Sequence, residues 1–345
     1  MSPPRPDVVV VGAGVIGLSA ALTMRDRGAV VAVLDAGPPG GGQSAGPGRV
    51  FRHIHDRADL VPLAVAARGA WREAQDRFGR RFVDDRGTLL VGGEGERYAR
   101  GLAAAGVAHE WVAHEDLPGG LGPIGRGLLD PGGGTIDTEA YVAALVAELG
   151  DAVRRQGADA VSAAAAGAAV RTPRGAIRAP RVLVCAGVGT VPLMRPLGVE
   201  IPLTRTVHRR VTFGAAVDDD LPCLLERSGA HGATGYVTPV PGGGVALGTA
   251  AADGLAEGEA VALTGRYFRA LFPGRDATVT GVVECEGAVL AGHPEAFGLY
   301  EAGPVAAFLG GNLFKHAPAI APLLADALLE GRVAPTLVPP EGVGG

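Results

Sequence analysis

The sequence predicts an α/β fold in which a Rossmann-like dinucleotide-binding layer is interleaved with an antiparallel-sheet layer. Three observations predict it. A glycine-patterned strand, helix and strand open the chain; further buried strands ending in glycine return near residues 181 and 305; and the stretches between them are β-branched and punctuated by turns. At 345 residues the chain exceeds the size at which one hydrophobic core usually stops growing, so two layers are expected rather than one. The nucleotide layer is assigned to 1–80, 137–200 and 290–345, and the second layer to 81–136 and 201–289.

Asp7 to Val11 is a short apolar run closed by glycine, the pattern of a parallel strand buried on both faces. Val15 to Arg27 then places Ile16, Ala20 and Met24 at helical spacing, Gly28 stops the helix, and Val30 to Leu34 reads as the next strand. After the glycine-rich loop Gly37 to Gly48, a helical pattern runs from Asp59 to Phe78 with Arg72, Glu73 and Asp76 on its polar face. Between Arg81 and Gly134 β-like runs such as Gly87 to Val91 alternate with Gly and Pro. Asp137 and Thr138 then offer N-caps for a helix through Leu149, and Arg181 to Ala186 is another buried strand. From Ile201 to Glu284 the runs around Val211, Val237 and Val245 predict an antiparallel sheet with one helix, Ala256 to Leu271. Gly242 to Gly244 reads as a hairpin turn. A final strand, Val305 to Leu309, leads through Gly310-Gly311 into a helix over Ala317 to Leu329. The alanine run Ala163 to Ala166 is taken as compositional.

A net charge of −5 argues against a nucleic-acid partner, which requires a basic face, yet leaves room for a locally positive pocket. Cys185, Cys223 and Cys285 are odd in number and widely spaced, so neither a disulfide framework nor a metal cluster is expected and a reducing cytoplasm fits. No apolar stretch is long enough for a signal-peptide core or a membrane span. The eight histidines, His231 among them, show no metal-ligand spacing.

Gly12-Ala13-Gly14-Val15-Ile16-Gly17 matches G-x-G-x-x-G at the junction of predicted strand and helix. Gly12 allows the tight turn, Gly14 admits a pyrophosphate to the backbone, and Gly17 lets helix pack on strand, with phosphate at the positive helix end. Asp35 follows Gly17 by 18 positions (35 minus 17), where an acid bonds a ribose hydroxyl and repels an extra phosphate. The fingerprint alone does not choose between NAD and FAD. Its place at the N-terminal end, answered by a second glycine turn and helix near the C-terminal end, suits an extended dinucleotide gripped twice.

Over nearly its whole length the chain resembles the sarcosine oxidase branch of the D-amino-acid-oxidase-like flavoproteins. The resemblance rests on Val8 to Asp35, on Ser44-Ala45-Gly46-Pro47-Gly48-Arg49-Val50-Phe51-Arg52-His53 and on Gly310-Gly311-Asn312-Leu313-Phe314-Lys315. Val182 to Gly187 and Ile201-Pro202-Leu203 lend weaker support. It implies an FAD-binding Rossmann-like domain of glutathione-reductase type interleaved with an antiparallel-sheet substrate domain. The activity implied is oxidation of a small amine or amino acid, of sarcosine, N-methyl or cyclic type. Hydride would pass from the α C–H to flavin N5 and leave an imine, with O2 as acceptor and H2O2 as product.

The resemblance makes Arg52 and Lys315 the holders of the substrate carboxylate, a role for which a planar guanidinium fork and a compact ammonium are chemically suited. Arg49 would lie against the flavin ring, and Tyr236 matches a substrate-pocket tyrosine that would otherwise be a packing aromatic. Val15, Ile16, Ala36, Ser44 and Gly187 join the cofactor-binding set, as do Gly310 to Lys315, whose amides and dipole would favour charge on the reduced flavin. Cys285 stands where members of this branch carry a cysteine thioether-linked to FAD; read alone it is equally a buried apolar thiol. Ala246 departs from the pattern, because the family carries a lysine there that assists oxygen reduction. Arg49, His208 and Arg209 are candidate substitutes. Two alternatives therefore stay open: a dehydrogenase or natural-product tailoring oxidoreductase with another acceptor, and a flavin-binding subunit of an electron-transfer complex.

Overall fold

The computed structural model describes residues 5–117, 121, 125–215, 220–230 and 232–340, so His231 lies outside the described residues. The chain divides into two compact units, Met1–Ala45, Ala140–Thr206 and Glu286–Gly345 in the first, and Gly46–Glu139 and Val207–Cys285 in the second.

The first unit is built on a six-stranded sheet. Its order is Phe297–Ala302, Val305–Gly310, Arg181–Val184, Val8–Val11 (β1), Val31–Asp35 (β2) and Val153–Arg155, all parallel except the first. The four residues of β1 are all buried, as a strand covered on both faces requires. Helix α1 (Val15–Asp26) buries nine of its residues and packs against the helix Ala317–Ala325. That last helix is shorter than the sequence predicts. It gives way to a π turn over Asp326–Glu330, closed by Gly331 in the left-handed conformation.

A three-stranded antiparallel sheet, Ala160–Ala164, Gly167–Thr172 and Gly175–Ala179, also belongs to this unit. The alanines taken as compositional thus form the end of its first strand and the following turn, and Val161, Ala168 and Val170 are buried in the unit's core.

The second unit carries an eight-stranded sheet in the order Val279–Leu290, Leu203–Phe213, Val245–Thr249, Gly235–Pro239, Cys223–Glu226, Thr88–Val91, Gly127–Asp130 and Glu110–Val112. Thr88–Val91 and Cys223–Glu226 are parallel, and from Leu203–Phe213 to Glu110–Val112 the remaining neighbours pair antiparallel. Gly242 to Gly244 does close a hairpin. Helix α2 (Val61–Phe78) begins two residues later than predicted, after a short 3₁₀ turn, and a further helix, Gly95–Ala104, was not predicted at all. Residues 46–80 lie in this unit rather than with the nucleotide layer. Arg49–Phe51 pairs with Gly134–Ile136, a partnership distant in sequence.

Phe213 and Phe268 stack in the core with ring centroids 4.2 Å apart and 20° between planes. Phe268→Leu keeps most of the buried area and removes the stack, so a loss of about 1 kcal/mol is expected in urea unfolding. An unchanged midpoint would show that the stack adds nothing beyond burial.

Candidate active site

In the first unit the turn from β1 into α1 is shaped by three glycines with different reasons to be glycine. Gly12 has φ +110°, and a Cβ there would overlap the carbonyl of Cys185. A Cβ on Gly17 would overlap the carbonyl of Gly12. Gly14 is different: its φ is −73°, and a Cβ would meet only Ser44 Oγ at 3.4 Å, an ordinary contact. Nothing in the described chain therefore requires glycine at 14, and its lack of a side chain leaves the backbone at the helix N-terminus uncovered.

Ser44 Oγ accepts a hydrogen bond from the Val15 N–H at 3.1 Å, bringing the glycine-rich loop to that same helix end. Asp35 ends β2 as expected, and its carboxylate also ties the cradle together. Oδ2 accepts from the Ala13 N–H at 2.7 Å and Oδ1 from the Gly37 N–H at 2.9 Å. Ala36 faces Gly157, and Gly187, with φ +55°, opens a 3₁₀ turn after Arg181–Val184.

Gly310 to Lys315 lies in the same unit. Asn312 holds φ +54°, and its side-chain amide donates to Glu295 Oε1 at 3.4 Å. Lys315 is 4% exposed, and its Nζ donates to the Asn312 carbonyl at 3.1 Å. Phe314 and Lys315 belong, with His316, to a 3₁₀ turn that Leu313 caps and that precedes the helix. Gln43, which sequence reasoning missed, spans this region: Nε2 donates to the Gly310 carbonyl at 3.5 Å and Oε1 accepts from the Ala288 N–H at 3.2 Å. Ile16 is buried in α1.

The second unit holds Arg49, Arg52, Tyr236 and Cys285. Arg49 begins its strand half-buried, and its Nη1 lies 3.5 Å from the Gly48 carbonyl. Arg52 is 7% exposed, with Nη1 donating to the Ile54 carbonyl. The following residue is anchored from behind: the His53 N–H donates to Asp130 Oδ2 at 2.6 Å, and Nδ1 lies 2.9 Å from Oδ1. Asp130 is fully buried.

Strand register collects the remaining groups. Gly248 pairs with Arg210 on one side and Tyr236 on the other, and Ala246 pairs with Thr212 and Thr238. Because alternate residues share a face, Arg210, Tyr236, Ala246 and Gly248 all lie on one face of the sheet. A Cβ on Gly248 would come within 2.6 Å of the Tyr236 ring and hydroxyl, so glycine is what lets the ring lie across that strand. Burial pushes the Tyr236 phenol up to about 12, against the opposing pull of Arg210, and it stays a neutral donor at physiological pH.

Arg210 is 3% exposed and donates from Nη1 to the Gly48 carbonyl at 2.8 Å. The sequence reading weighed its neighbours instead. Arg209 is directed to Glu284 and the Leu255 carbonyl, one residue out of phase with Ala246, and His208 Nδ1 lies 2.9 Å from Asp253 Oδ2. The signal that would have found Arg210 is the phase of its strand, which only pairing with Gly248 fixes.

Burial holds the thiols of Cys185 and Cys223 near 12. Cys285 is less enclosed. Burial raises it too, Arg210 pulls it back, and its Sγ donates to the His208 carbonyl at 3.7 Å.

A glycine turn of Rossmann type between the parallel strand β1 and helix α1 marks an α/β protein of the dinucleotide-binding class. More particularly, the chain belongs to the DAO family, FAD dependent oxidoreductase, which it matches over residues 7–327. It is 26% identical to the peroxisomal sarcosine oxidase of Homo sapiens over 244 residues, 64% of this chain and 61% of that protein. It is 31% identical to the monomeric sarcosine oxidase of Bacillus sp. (strain B-0618) over 93 residues, 26% of this chain and 24% of that protein. The chain thus matches less than two thirds of the length of either relative. Among solved structures it is similar to the open form of NikD, an amino acid oxidase essential for nikkomycin biosynthesis. The TM-score there is 0.87 at 24% identity over 98% of both chains. Glycine oxidase from Geobacillus kaustophilus follows at 0.82 and 18% over 96% of both. At these identities the structures establish a shared fold. Among the described residues no helix is long and apolar enough to cross a membrane.

Proposed function

We propose that the protein oxidises a small amine or amino acid bearing a carboxylate, with FAD held at the cradle of the first unit. The observation that carries this reading is a pair of buried cations, Arg52 and Lys315, neither more than 7% exposed, in a chain of net charge −5. Both are held in place by the protein, Arg52 by the Ile54 carbonyl and Lys315 by the Asn312 carbonyl, and a carboxylate is the substrate group that a positioned guanidinium and ammonium recognise through charge-assisted hydrogen bonds.

The residues present fit FAD. The open backbone at Gly14 and the amides of α1 receive the pyrophosphate, Asp35 keeps acceptor capacity for a ribose hydroxyl, and Gly310 to Lys315 offers a second grip. Bound FAD supplies the acceptor for the two electrons that leave the amine's α C–H. Arg52 and Lys315 fix the carboxylate, Tyr236 donates a neutral hydroxyl, and Arg49 and Arg210 supply fixed positive charge. The amine gives up its N–H proton as the C=N bond forms, and the imine is released for hydrolysis.

A second reading, oxidation with an acceptor other than O2, is favoured by the buried methyl group of Ala246. One experiment tests both. The purified holoprotein is reduced anaerobically with N-methyl and cyclic amino acids, and air is readmitted. Bleaching of the flavin by a carboxylate-bearing amine supports the proposal, and rapid reoxidation selects O2. A protein that binds no FAD, or whose flavin no amine bleaches, overturns it.

Of the three cysteines, Cys285 is the one whose thiol is neither fully enclosed nor left without a cation nearby. It is proposed to carry the flavin covalently. Acid precipitation should leave the colour in the pellet, and Cys285→Ser should release it to the supernatant. Colour in the supernatant of the unsubstituted protein would rule the linkage out.

A further inference from the structure

The second unit contains a cavity of about 220 Å³ that the proposed reaction does not use, bounded by His53, Arg68, Arg72, Gly132 and the backbone turn 105–108. Its lining is one-signed, with two arginines, one histidine and no carboxylate. Arg68 and Arg72 stand four apart on α2, where like charges repel. Arg68 is 6% exposed. Its Nη2 donates to Asp85 Oδ1 at 2.9 Å, and its guanidinium lies 5.5 Å from the centre of the Phe51 ring. Among the described residues its Nε and Nη1 have no hydrogen-bond partner. Arg72 is exposed and makes no ion pair among the described residues. A buried guanidinium with unused donors is costly, and a second unpaired cation one helical turn away adds to that cost.

Gly132 completes the site. A Cβ there would lie 2.8 Å from His53 Cε1, so glycine keeps the edge of the imidazole uncovered, while Asp130 holds the ring by Nδ1 at 2.9 Å.

We propose that this cavity is a binding site for a small oxyanion, a carboxylate or phosphate group, separate from the substrate carboxylate held by Arg52 and Lys315. Arg72 is its direct contact, Arg68 supplies fixed charge behind it, and His53 lines the wall. Burial pulls the Arg68 guanidinium below its ordinary value, Asp85 opposes that shift and Arg72 adds to it; an anion between the two arginines would relieve the strain. The consequence reaches the reaction through the chain itself, because His53 follows Arg52 directly. An occupied site holds the segment that carries the substrate-binding arginine.

The test uses the FAD-loaded full chain and needs no assumption about its substrate. Inorganic phosphate and acetate are titrated by calorimetry and thermal melting at constant ionic strength, with chloride as control. At saturation one of the two raises the melting temperature by about 2 °C over chloride. Arg72→Gln, an exposed change that leaves the core intact, weakens that binding by about tenfold or more. Phosphate alone active identifies a phosphate-bearing ligand, and acetate alone a carboxylate. Arg52→Met retains the effect, which separates this site from the substrate site. Equal responses to all three anions, no response, or equal affinity in Arg72→Gln would each overturn the proposal.

Discussion

Arg52→Met and Lys315→Met should each lower kcat/KM for a carboxylate-bearing amine by about two to three orders of magnitude. Removing one partner of a buried charge-assisted contact costs about 2–5 kcal/mol, and each 1.4 kcal/mol is roughly tenfold. The size follows from burial. At 7% and 4% exposure neither cation is well hydrated, so the carboxylate it binds meets little competition from water. Most of the loss is expected in KM, with a smaller fall in kcat from the less well oriented α C–H. An amine of the same shape without the carboxylate supplies the decisive comparison. Its kcat/KM starts low and should change little in either variant, since it never used the cation. Equal losses on both amines would mean that the substitutions disturb the fold. That is a real alternative at Arg52, because its Nη1 also holds the Ile54 carbonyl. Lys315→Met removes the bond to the Asn312 carbonyl, and the backbone bonds of the 3₁₀ turn Phe314–His316 do not depend on that side chain.

The parts of this architecture that local chemistry dictates were legible in the sequence. The strand, helix and strand from Val8 to Asp35 needed only apolar runs, a helical period and glycines in order. What escaped depends on distant pairing. The segment 46–80 joins the second unit because Arg49–Phe51 finds its partner at Gly134–Ile136, and no local pattern around Arg49 announces that. The helix Gly95–Ala104 carries glycines at 95 and 101, which lower its intrinsic propensity; it forms because Tyr98, Ala99 and Leu102 bury into the core with Leu90 and Leu128. The hairpins from Ala160 to Ala179 were hidden by alanine, a residue with little preference for strands. Arg210 was passed over for Arg209 because a slip of one residue exchanges the two faces of a strand. The same logic explains which site residues were readable. Gly12, Gly17 and Asp35 serve the turn they sit in, whereas the anchoring of His53 by Asp130 links residues 77 apart.

Gly14→Ala should fold as the unsubstituted protein does and fail to hold FAD. Gly12 and Gly17 cannot make this distinction, because a side chain at either overlaps a backbone carbonyl and would damage the apoprotein and the holoprotein alike. Gly14 has an ordinary φ of −73° and space for a methyl group beside Ser44 Oγ at 3.4 Å. Alanine there even removes some freedom from the unfolded chain, so apoprotein stability should be unchanged or raised by about 0.5 kcal/mol. The methyl group then occupies the place where a pyrophosphate approaches the backbone amides, and no neighbouring side chain can shift to make room, because the obstacle is attached to the cradle itself. Losing close contact with the helix N-terminus should weaken FAD binding by about two orders of magnitude or more, read by flavin fluorescence on titrating the apoprotein. Under the covalent reading of Cys285 the effect appears as a lower fraction of flavinylated protein at a given FAD concentration. Full FAD affinity in Gly14→Ala would place the pyrophosphate elsewhere and remove the physical basis for assigning this turn to the cofactor. An apoprotein melting several degrees lower would show instead that glycine at 14 serves the fold, as it does at 12 and 17.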